Sequence, residues 1–275
     1  MRAAKLLAVT AVLILGVFGC RKSKGPAEPN NGTGPATTGK ETTERAEANE
    51  QTPDVTVKVE PGKEAAMGIT IQWLGHASFR IVQDKEVIYI DPWKLKESPH
   101  DATVVLVSHS HSDHYSPEDI EKVSGPETKL ISSVDVMAKE RRGEALLPGL
   151  RIVLEGLSLT GVAAYNPNKQ FHPRSSNWVG FVIEVGSNRI YYAGDTDFTD
   201  DMKGLKDIDI ALLPVGGKYT MNGEEAAEAA NQIGPKYAIP YHWGDIVGDR
   251  SDAESFAKGA GCEVKVLSPG ESAEF

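Results

Sequence analysis

Three histidines and one aspartate lie within six consecutive positions, at His109, His111, Asp113 and His114. The apolar run of residues 103–107 just before them predicts a buried strand, so the cluster is expected on a strand-to-helix loop. Side chains two apart in extended backbone point to the same side, so His109 and His111 can bind one cation. Asp113 and His114 follow as the chain turns and can face a second cation. Imidazole and carboxylate ligands without thiolate suit zinc, and also iron or manganese.

The alternative interpretation of this cluster is a polar surface loop that happens to carry histidines. Three of the chain's seven histidines stand in this one window, with an aspartate between them. That density favours a metal site.

Three further candidate ligands stand elsewhere in the chain. Asp195 follows an apolar run and the turn-forming Gly194, and its two oxygens can bridge two cations. Asp197 is the alternative for that role, and Asp195 is favoured because it stands nearer the strand end. His242 also follows an apolar strand and is expected to be a ligand, with a core histidine among aromatic residues as the alternative. His172 lies in a polar loop, where a surface histidine is usual, but the first cation still needs a third nitrogen.

Four other residues are candidates for supporting roles. His76 lies in a tight turn, where it either faces the ligands or substrate or only satisfies the turn. Asp91 ends a strand, where a carboxylate can orient a ligand histidine through its outer nitrogen or simply form a turn. Lys218 and Tyr219 lie on the loop after Gly217. They can assist an oxyanion or an anionic group, or only cover the start of the next helix.

The elements that must position these residues are predicted from periodicity and turn residues. The strands begin as an antiparallel meander and helices are interspersed later, which predicts two sheets packed face to face with helices outside. We expect helices at residues 116–124, 133–142, 222–233 and 252–259. We expect strands at residues 55–59, 69–74, 78–82, 87–90, 103–107, 151–154, 157–164, 178–185, 189–193, 208–213, 236–240 and 263–266.

The 275-residue chain is long enough for one large domain, which we place at residues 55–275. Its net charge of -10 argues against binding to nucleic acid or to an anionic membrane surface. Bound metal reverses the local field, so an anionic substrate is still possible.

The N-terminal residues predict export. Residues 1–19 carry a basic start and an apolar core of signal-peptide length, with a plain secretory peptide or an uncleaved anchor as the alternatives. The segment from Val17 to Cys20 resembles a bacterial lipobox, which implies lipidation of Cys20. Residues 20–54 lack large apolar side chains and are expected to form a flexible linker. We therefore expect an exported lipoprotein, anchored to a membrane and facing the periplasm or the cell exterior. Cys262 alone then remains, which leaves no disulfide within the mature monomer.

The combination of His-x-His-x-Asp-His after a strand, Gly-Asp-Thr after a strand and a late histidine resembles the metallo-β-lactamase superfamily. Further segments resemble its branch of metal-dependent hydrolases that includes ascorbate-6-phosphate lactonase and N-acyl-phosphatidylethanolamine phospholipase D. These segments are residues 73–77, 90–93, 177–180, 192–196 and 214–217.

The resemblance implies an α+β fold, an αββα four-layer sandwich with the metals along one edge. It also implies a ligand assignment, with His109, His111 and His172 on one metal. The other metal would take Asp113, His114 and His242, with Asp195 bridging the two.

The predicted function is that of a dinuclear metal-dependent hydrolase. Two divalent metal ions, Zn2+ or else Mn2+ or Fe, would lower the pKa of a bridging water, and the resulting hydroxide would cleave an ester, lactone or phosphodiester of a small-molecule substrate. Asp113 would hold and orient this nucleophile. Loop 217–222 lacks the histidine of the phospholipase-type relatives, which argues against a phospholipid substrate. The alternatives are a non-catalytic metal-binding lipoprotein and, more weakly, a surface scaffold that has lost activity.

Overall fold

A computed structural model describes residues 68–275. The predicted signal peptide, Cys20, the linker and the strand at residues 55–59 lie outside the described residues. Within residues 68–275, no helix is both long enough and apolar enough to cross a membrane.

The first sheet has seven strands in the order β14-β1-β2-β3-β4-β5-β6. β14, β1, β2 and β3 pair antiparallel, which confirms the predicted meander, whereas β3 to β6 pair parallel. The parallel arrangement brings the carboxyl ends of β3 and β4 to the same edge of the sheet. The strands are β1 (Thr70–Gly75), β2 (Ser78–Gln83), β3 (Glu86–Ile90), β4 (Ala102–Val107), β5 (Ser124–Ser132), β6 (Glu144–Ala145) and β14 (Ser272–Glu274).

The second sheet also has seven strands, in the order β13-β12-β11-β10-β9-β8-β7. β7 to β10 pair antiparallel and β10 to β13 pair parallel, so β10, β11 and β12 end at one edge. The strands are β7 (Arg151–Val153), β8 (Leu157–Ala163), β9 (Val179–Val185), β10 (Asn188–Tyr192), β11 (Ile210–Pro214), β12 (Tyr237–Tyr241) and β13 (Glu263–Val264).

The two sheets pack face to face around a common hydrophobic core. Phe79 of β2 packs edge-on against Tyr192 of β10 and Tyr241 of β12, with ring centroids 6.1 Å and 5.5 Å apart. A second apolar cluster, which includes Val105 and Ile120, joins the outer face of the first sheet to α1 (Pro117–Val123) and α2 (Val134–Glu140).

Three helices belong to the second half of the chain: α3 (Asp200–Lys203), α4 (Gly223–Ile233) and α5 (Arg250–Gly259). α4 and α5 contact β11 and β12 and complete the fourth layer. Asn222 and Glu225 form a capping box at the start of α4, close to the predicted start of this helix. The predicted α+β sandwich with αββα layering is therefore confirmed.

Several elements differ from the predictions. β5, β6, β14 and α3 were not predicted at all. Gly125 and Pro126 indicate a turn by themselves, and the register of the pairing shifts at this place. From Val104 opposite Lys129 onward, parallel pairing with β4 makes the rest of the segment a strand. Such pairing depends on residues far away in the chain, which local sequence patterns do not report.

Candidate metal centre

All the predicted ligands lie in loops that leave strands at one edge of the sandwich. Residues 109–114 follow β4, Asp195 follows β10 and His242 follows β12, while His172 lies in the long loop between β8 and β9. β10, β11 and β12 are parallel neighbours, which brings their carboxyl ends together. The topology thus gathers residues that are more than 130 positions apart in the sequence.

The first group of candidate ligands, called group one below, consists of His109, His111 and His172. Their ring nitrogens lie within 4.8 Å of one another. His109 Nε2 and His111 Nδ1 are 3.1 Å apart. Two nitrogens bound to one tetrahedral zinc at its usual bond length lie about 3.3 Å apart. The spacing therefore fits a shared cation.

The second group, called group two, consists of His76, Asp113, His114 and His242, again with ligand atoms within 4.8 Å. Asp113 Oδ2 lies 3.8 Å from His114 Nε2 and 3.9 Å from His242 Nε2. His76 Nε2 is closer, at 3.0 Å from the same oxygen. Of the two interpretations of His76, the one that faces the ligands is therefore the one that the structure supports.

Asp195 lies between the two groups and is almost fully buried. Its Oδ2 is 3.2 Å from Nε2 of His172 in group one and 3.2 Å from Nε2 of His242 in group two. Asp197, the alternative for the bridging role, instead forms an ion pair with Lys169 and belongs to neither group.

The buried polar atoms of the site fit a bound cation. Among the described residues, His114 Nε2, His172 Nε2, His242 Nε2 and Asp195 Oδ1 are buried side-chain atoms without a hydrogen-bond partner. An unsatisfied buried polar group costs about 1–3 kcal/mol, so four such atoms converging on one place need an explanation. Coordination to metal would satisfy all four, and a nitrogen and oxygen donor set suits a divalent cation.

Electrostatics keep the carboxylates of the site ionised. Burial by itself would raise the pKa of Asp195, but the nearby His114 and His242 lower it well below its usual value. Burial would likewise raise the pKa of Asp113, whereas His76 and His114 lower it to about 2. Both side chains are therefore charged acceptors at neutral pH.

The histidines divide into two classes. Burial lowers the pKa of His109 and of His111 and favours their neutral, ligating forms. Burial would also lower the pKa of His114, but the carboxylates of Asp195 and Asp91 raise it well above its usual value in the metal-free protein. His114 therefore holds a proton that a cation has to displace.

Asp91 is a fully buried hydrogen-bond centre behind the ligands. Its Oδ2 is 2.7 Å from His114 Nδ1 and accepts hydrogen bonds from the hydroxyls of Ser108 and Tyr192, at 2.6 Å each. Its Oδ1 accepts the backbone N–H of Ser108 at 2.7 Å. The contact with His114 fixes that imidazole so that Nε2 faces the site, which is the orienting position predicted for Asp91.

Trp178 supports group one, a role that sequence reasoning missed. Its indole packs against His109 and His111, with ring centroids 4.7 Å away in each case, and against His172 at 5.4 Å. The indole N–H donates to Asp135 Oδ2 at 2.9 Å. The segment 177–180 was noticed as a family-like motif, but nothing in it indicated which rings the indole would contact.

A cavity of about 240 Å3 opens onto the ligands. Tyr219 lines it, and its role, to assist an anionic group or to cover the start of α4, stays a prediction. Lys218 does not line it: this exposed side chain lies over the Tyr219 ring, with Nζ 4.9 Å from the ring centroid. The full lining consists of His111, Ser112, Asp113, Phe171, His172, Asp195, Tyr219 and Ile246.

Four site residues have left-handed backbone conformations, which non-glycine residues rarely adopt. Their φ angles are 48° for His76, 44° for Asp91, 62° for His172 and 65° for His242. Each such conformation costs on the order of 1–3 kcal/mol, and residues held this way concentrate at functional sites.

Comparisons with known proteins agree with this geometry. A sequence model described as a beta-lactamase superfamily domain matches residues 70–242. A UPF0173 metal-dependent hydrolase of Methanopyrus kandleri is 34% identical over 227 residues, covering 74% of this chain and 99% of that protein.

Solved structures show the same fold. A protein of Parabacteroides distasonis, described as a metal-dependent hydrolase, superposes with a TM-score of 0.64 at 32% identity and covers 72% of this chain and 91% of that one. The metallo-beta-lactamase fold protein YhfI of Bacillus subtilis superposes with a TM-score of 0.62 at 14% identity, covering 76% of this chain and 100% of that one. The latter likeness bears on the fold alone.

The two packed sheets, with histidines and aspartates gathered at one edge, thus define a metallo-β-lactamase fold. The chain belongs to the beta-lactamase superfamily and, within it, to the UPF0173 metal-dependent hydrolases. The finer resemblance, to the branch with ascorbate-6-phosphate lactonase and the phospholipase D, stays a prediction.

Proposed function

We propose that the protein is a hydrolase that holds two divalent cations, one in each ligand group, with Asp195 shared between them. The observation that carries this proposal is the position of Asp195, whose Oδ2 is 3.2 Å from a nitrogen of each group. A single-cation protein has no need of a second, separately oriented group of ligands. Zinc is the metal that the nitrogen and oxygen donors favour, with manganese or iron as alternatives.

Bound cations would supply two kinds of chemistry, lowering the pKa of a shared water and polarising the scissile bond. Asp113 is the chain's own group for handling the attacking water. Its carboxylate lines the cavity and is ionised at neutral pH, so it can accept a hydrogen bond from that water and orient it. His76 holds the same carboxylate at 3.0 Å and limits its rotation.

The reaction class proposed is cleavage of an ester, lactone or phosphodiester bond in a small-molecule substrate. The relatives support hydrolysis in general, because they are described as metal-dependent hydrolases. The alternative function is metal binding without turnover. Rigid strand-end ligands beside an open cavity favour the hydrolase, since a carrier needs no space for a substrate.

Turnover assays of zinc-loaded protein test this proposal. We expect hydrolysis of p-nitrophenyl acetate, a γ-lactone or bis(p-nitrophenyl) phosphate that stops on chelation and returns with zinc. His111→Ala should abolish it, whereas His100→Ala should not, because the His100 side chain is exposed, bonds the Ser124 carbonyl and belongs to neither ligand group. Tight binding of two cations without turnover across the panel would favour the metal-binding alternative.

We further propose that the protein is exported and anchored through lipid on Cys20, facing the periplasm or the cell exterior. The support is the basic start, apolar core and Cys20 of the N-terminal segment. Mass spectrometry of the membrane fraction should find a diacyl-modified Cys20 at the new N-terminus. An intact N-terminus with unmodified Cys20 would contradict the proposal.

A further inference from the structure

One wall of the cavity at the metal centre is apolar and exposed. Phe171 and Ile246 are 43% and 48% exposed, and both line the cavity. They are two of the five large apolar side chains that are exposed within residues 68–275. The Tyr219 ring packs edge-on against Phe171, with centroids 5.1 Å apart. Isolated exposed apolar residues are common, but two that line the same cavity beside the candidate ligands indicate a binding surface.

The side chains of the lining disfavour an anionic substituent on the part of the substrate that lies away from the metal centre. Among residues 68–275, neither lysine nor arginine lines the cavity, and the carboxylates in its lining are those of Asp113 and Asp195. Recognition of a phosphate or carboxylate substituent relies on lysine or arginine. Lys218 does not supply this recognition, because it packs over Tyr219 without lining the cavity.

We propose that the substrate carries an uncharged apolar acyl or aryl group that packs on Phe171, Tyr219 and Ile246 while its scissile bond faces the ligand groups. This inference rests on the proposed function and narrows its substrate class. A cavity of about 150 Å3 accommodates benzene. The cavity here, at about 240 Å3, has room for one such group together with the scissile bond.

Binding of hydroxamates to the zinc-loaded full-length protein tests the inference without any turnover. Acetohydroxamate, hexanohydroxamate and succinate monohydroxamate share one metal-binding head and differ only in a short, an apolar or an anionic tail. A methylene that is fully buried improves affinity about fourfold. Because the wall is half exposed, we expect hexanohydroxamate to bind about tenfold more tightly than acetohydroxamate in calorimetry. Succinate monohydroxamate should bind no more tightly than acetohydroxamate.

Variants of the apolar wall test whether its side chains cause the preference for the apolar tail. Phe171→Ser and Ile246→Ser should each reduce the tenfold preference to about threefold, with metal content unchanged. Val153→Ser is the matched control, because Val153 is an apolar residue that is 72% exposed on β7 and does not line the cavity. This control should keep the full preference.

Three results would overturn the inference. The first is equal affinity for the short and apolar tails, and the second is failure of all three probes to bind. The third is tighter binding of the anionic tail that disappears in Lys218→Ala, which would assign an anionic substrate instead. Failure of the proposed function is a separate result. If the protein prefers the apolar tail but hydrolyses nothing, the inference of an apolar binding site stands and the proposed hydrolase function is wrong.

Discussion

Asp195 is the residue at which the two ligand groups meet. Its carboxylate contacts histidines that come from three different loops, while Asp197 two positions later bonds Lys169.

Asp195→Asn is expected to lower the metal content to less than half of that of the parent protein. An amide is a weak ligand and cannot supply the charge that a bridging carboxylate gives to both cations. Elemental analysis after purification measures the change. Asp197→Asn is the matched control and should keep its metal. Full metal content in Asp195→Asn would show that the groups bind cations independently of this residue.

Group two is expected to bind metal more strongly as the pH rises, because His114 must lose its proton. Its pKa in the metal-free protein lies above the ordinary 6.5. The charged imidazole therefore stabilises the metal-free fold at pH values below 6.5, and this stabilisation is lost as the pH rises through the raised pKa. His109 and His111 have lowered pKa values and need release no proton at neutral pH.

Calorimetric titration of zinc into metal-free protein, in buffers of different ionisation enthalpy, measures this proton. More protons should be released for the cation of group two than for that of group one at pH 7, because the pKa of His114 is raised whereas those of His109 and His111 are lowered. Asp91→Asn removes a charge that raises the pKa of His114, so it should reduce the release. Identical proton release for the two cations would contradict the expectation.

Most ligand candidates could be predicted because they follow an apolar strand, a local pattern that a single sequence displays, whereas His172 lies in a polar loop and was inferred only from the need for a third nitrogen. His109, Asp195 and His242 are examples of this rule. The contacts of Trp178 could not be predicted, since the three imidazoles that the indole meets come from two different loops. The position of His76 in group two depends in the same way on contacts between distant loops.

At the scale of elements, the start of α2 is connected to group one through an indole. Asp135 lies in the first turn of α2 and accepts the Trp178 N–H, and that ring packs on the group-one imidazoles. Asp135→Ala should weaken zinc binding by group one by up to about tenfold, the low end of what direct partners of metal ligands contribute, because Asp135 acts on the imidazoles through the indole.

Competition with a chromophoric chelator measures that loss. Glu224→Ala is the matched control, since Glu224 is also an acid in the first turn of a helix, α4. Both variants lose a favourable charge at a helix start, but only Asp135→Ala loses the contact with the indole. Equal zinc affinity in the two variants would mean that the hydrogen bond from Trp178 to Asp135 does not contribute to zinc binding.

β5 illustrates why some elements escaped prediction. Its first half, with Gly125 and Pro126, has the composition of a turn, and its residues 127 and 128 are polar. The strand forms because β4 and β6 offer parallel partners on both sides. The meander β1 to β3 could be predicted, by contrast, because short turns join strands that are neighbours in the sequence.

At the scale of the whole molecule, the ligands join both sheets at one edge. His109 to His114 leave the first sheet, whereas Asp195 and His242 leave the second. A ligand that binds only the folded state stabilises it by about 2.7 kcal/mol at a concentration one hundred times its Kd. Bound cations are therefore expected to hold the sandwich together.

Chelation is accordingly expected to lower the melting temperature of the parent protein by about 5 °C or more, given the heat of unfolding of a domain of this size. Differential scanning calorimetry with and without chelator measures the shift. Asp195→Asn, with its reduced metal content, should show a much smaller shift under the same conditions. If chelator leaves the melting temperature of the parent protein unchanged, bound cations do not stabilise the folded state.

The positive φ angles of His172 and His242 have a consequence for directed evolution of this protein. Glycine adopts such conformations without the steric penalty that histidine bears. A library screened only for heat resistance in the presence of chelator should therefore enrich glycine at these two positions. The same library screened for zinc retention should keep histidine at both positions. The two screens should therefore select different residues at the same two sites.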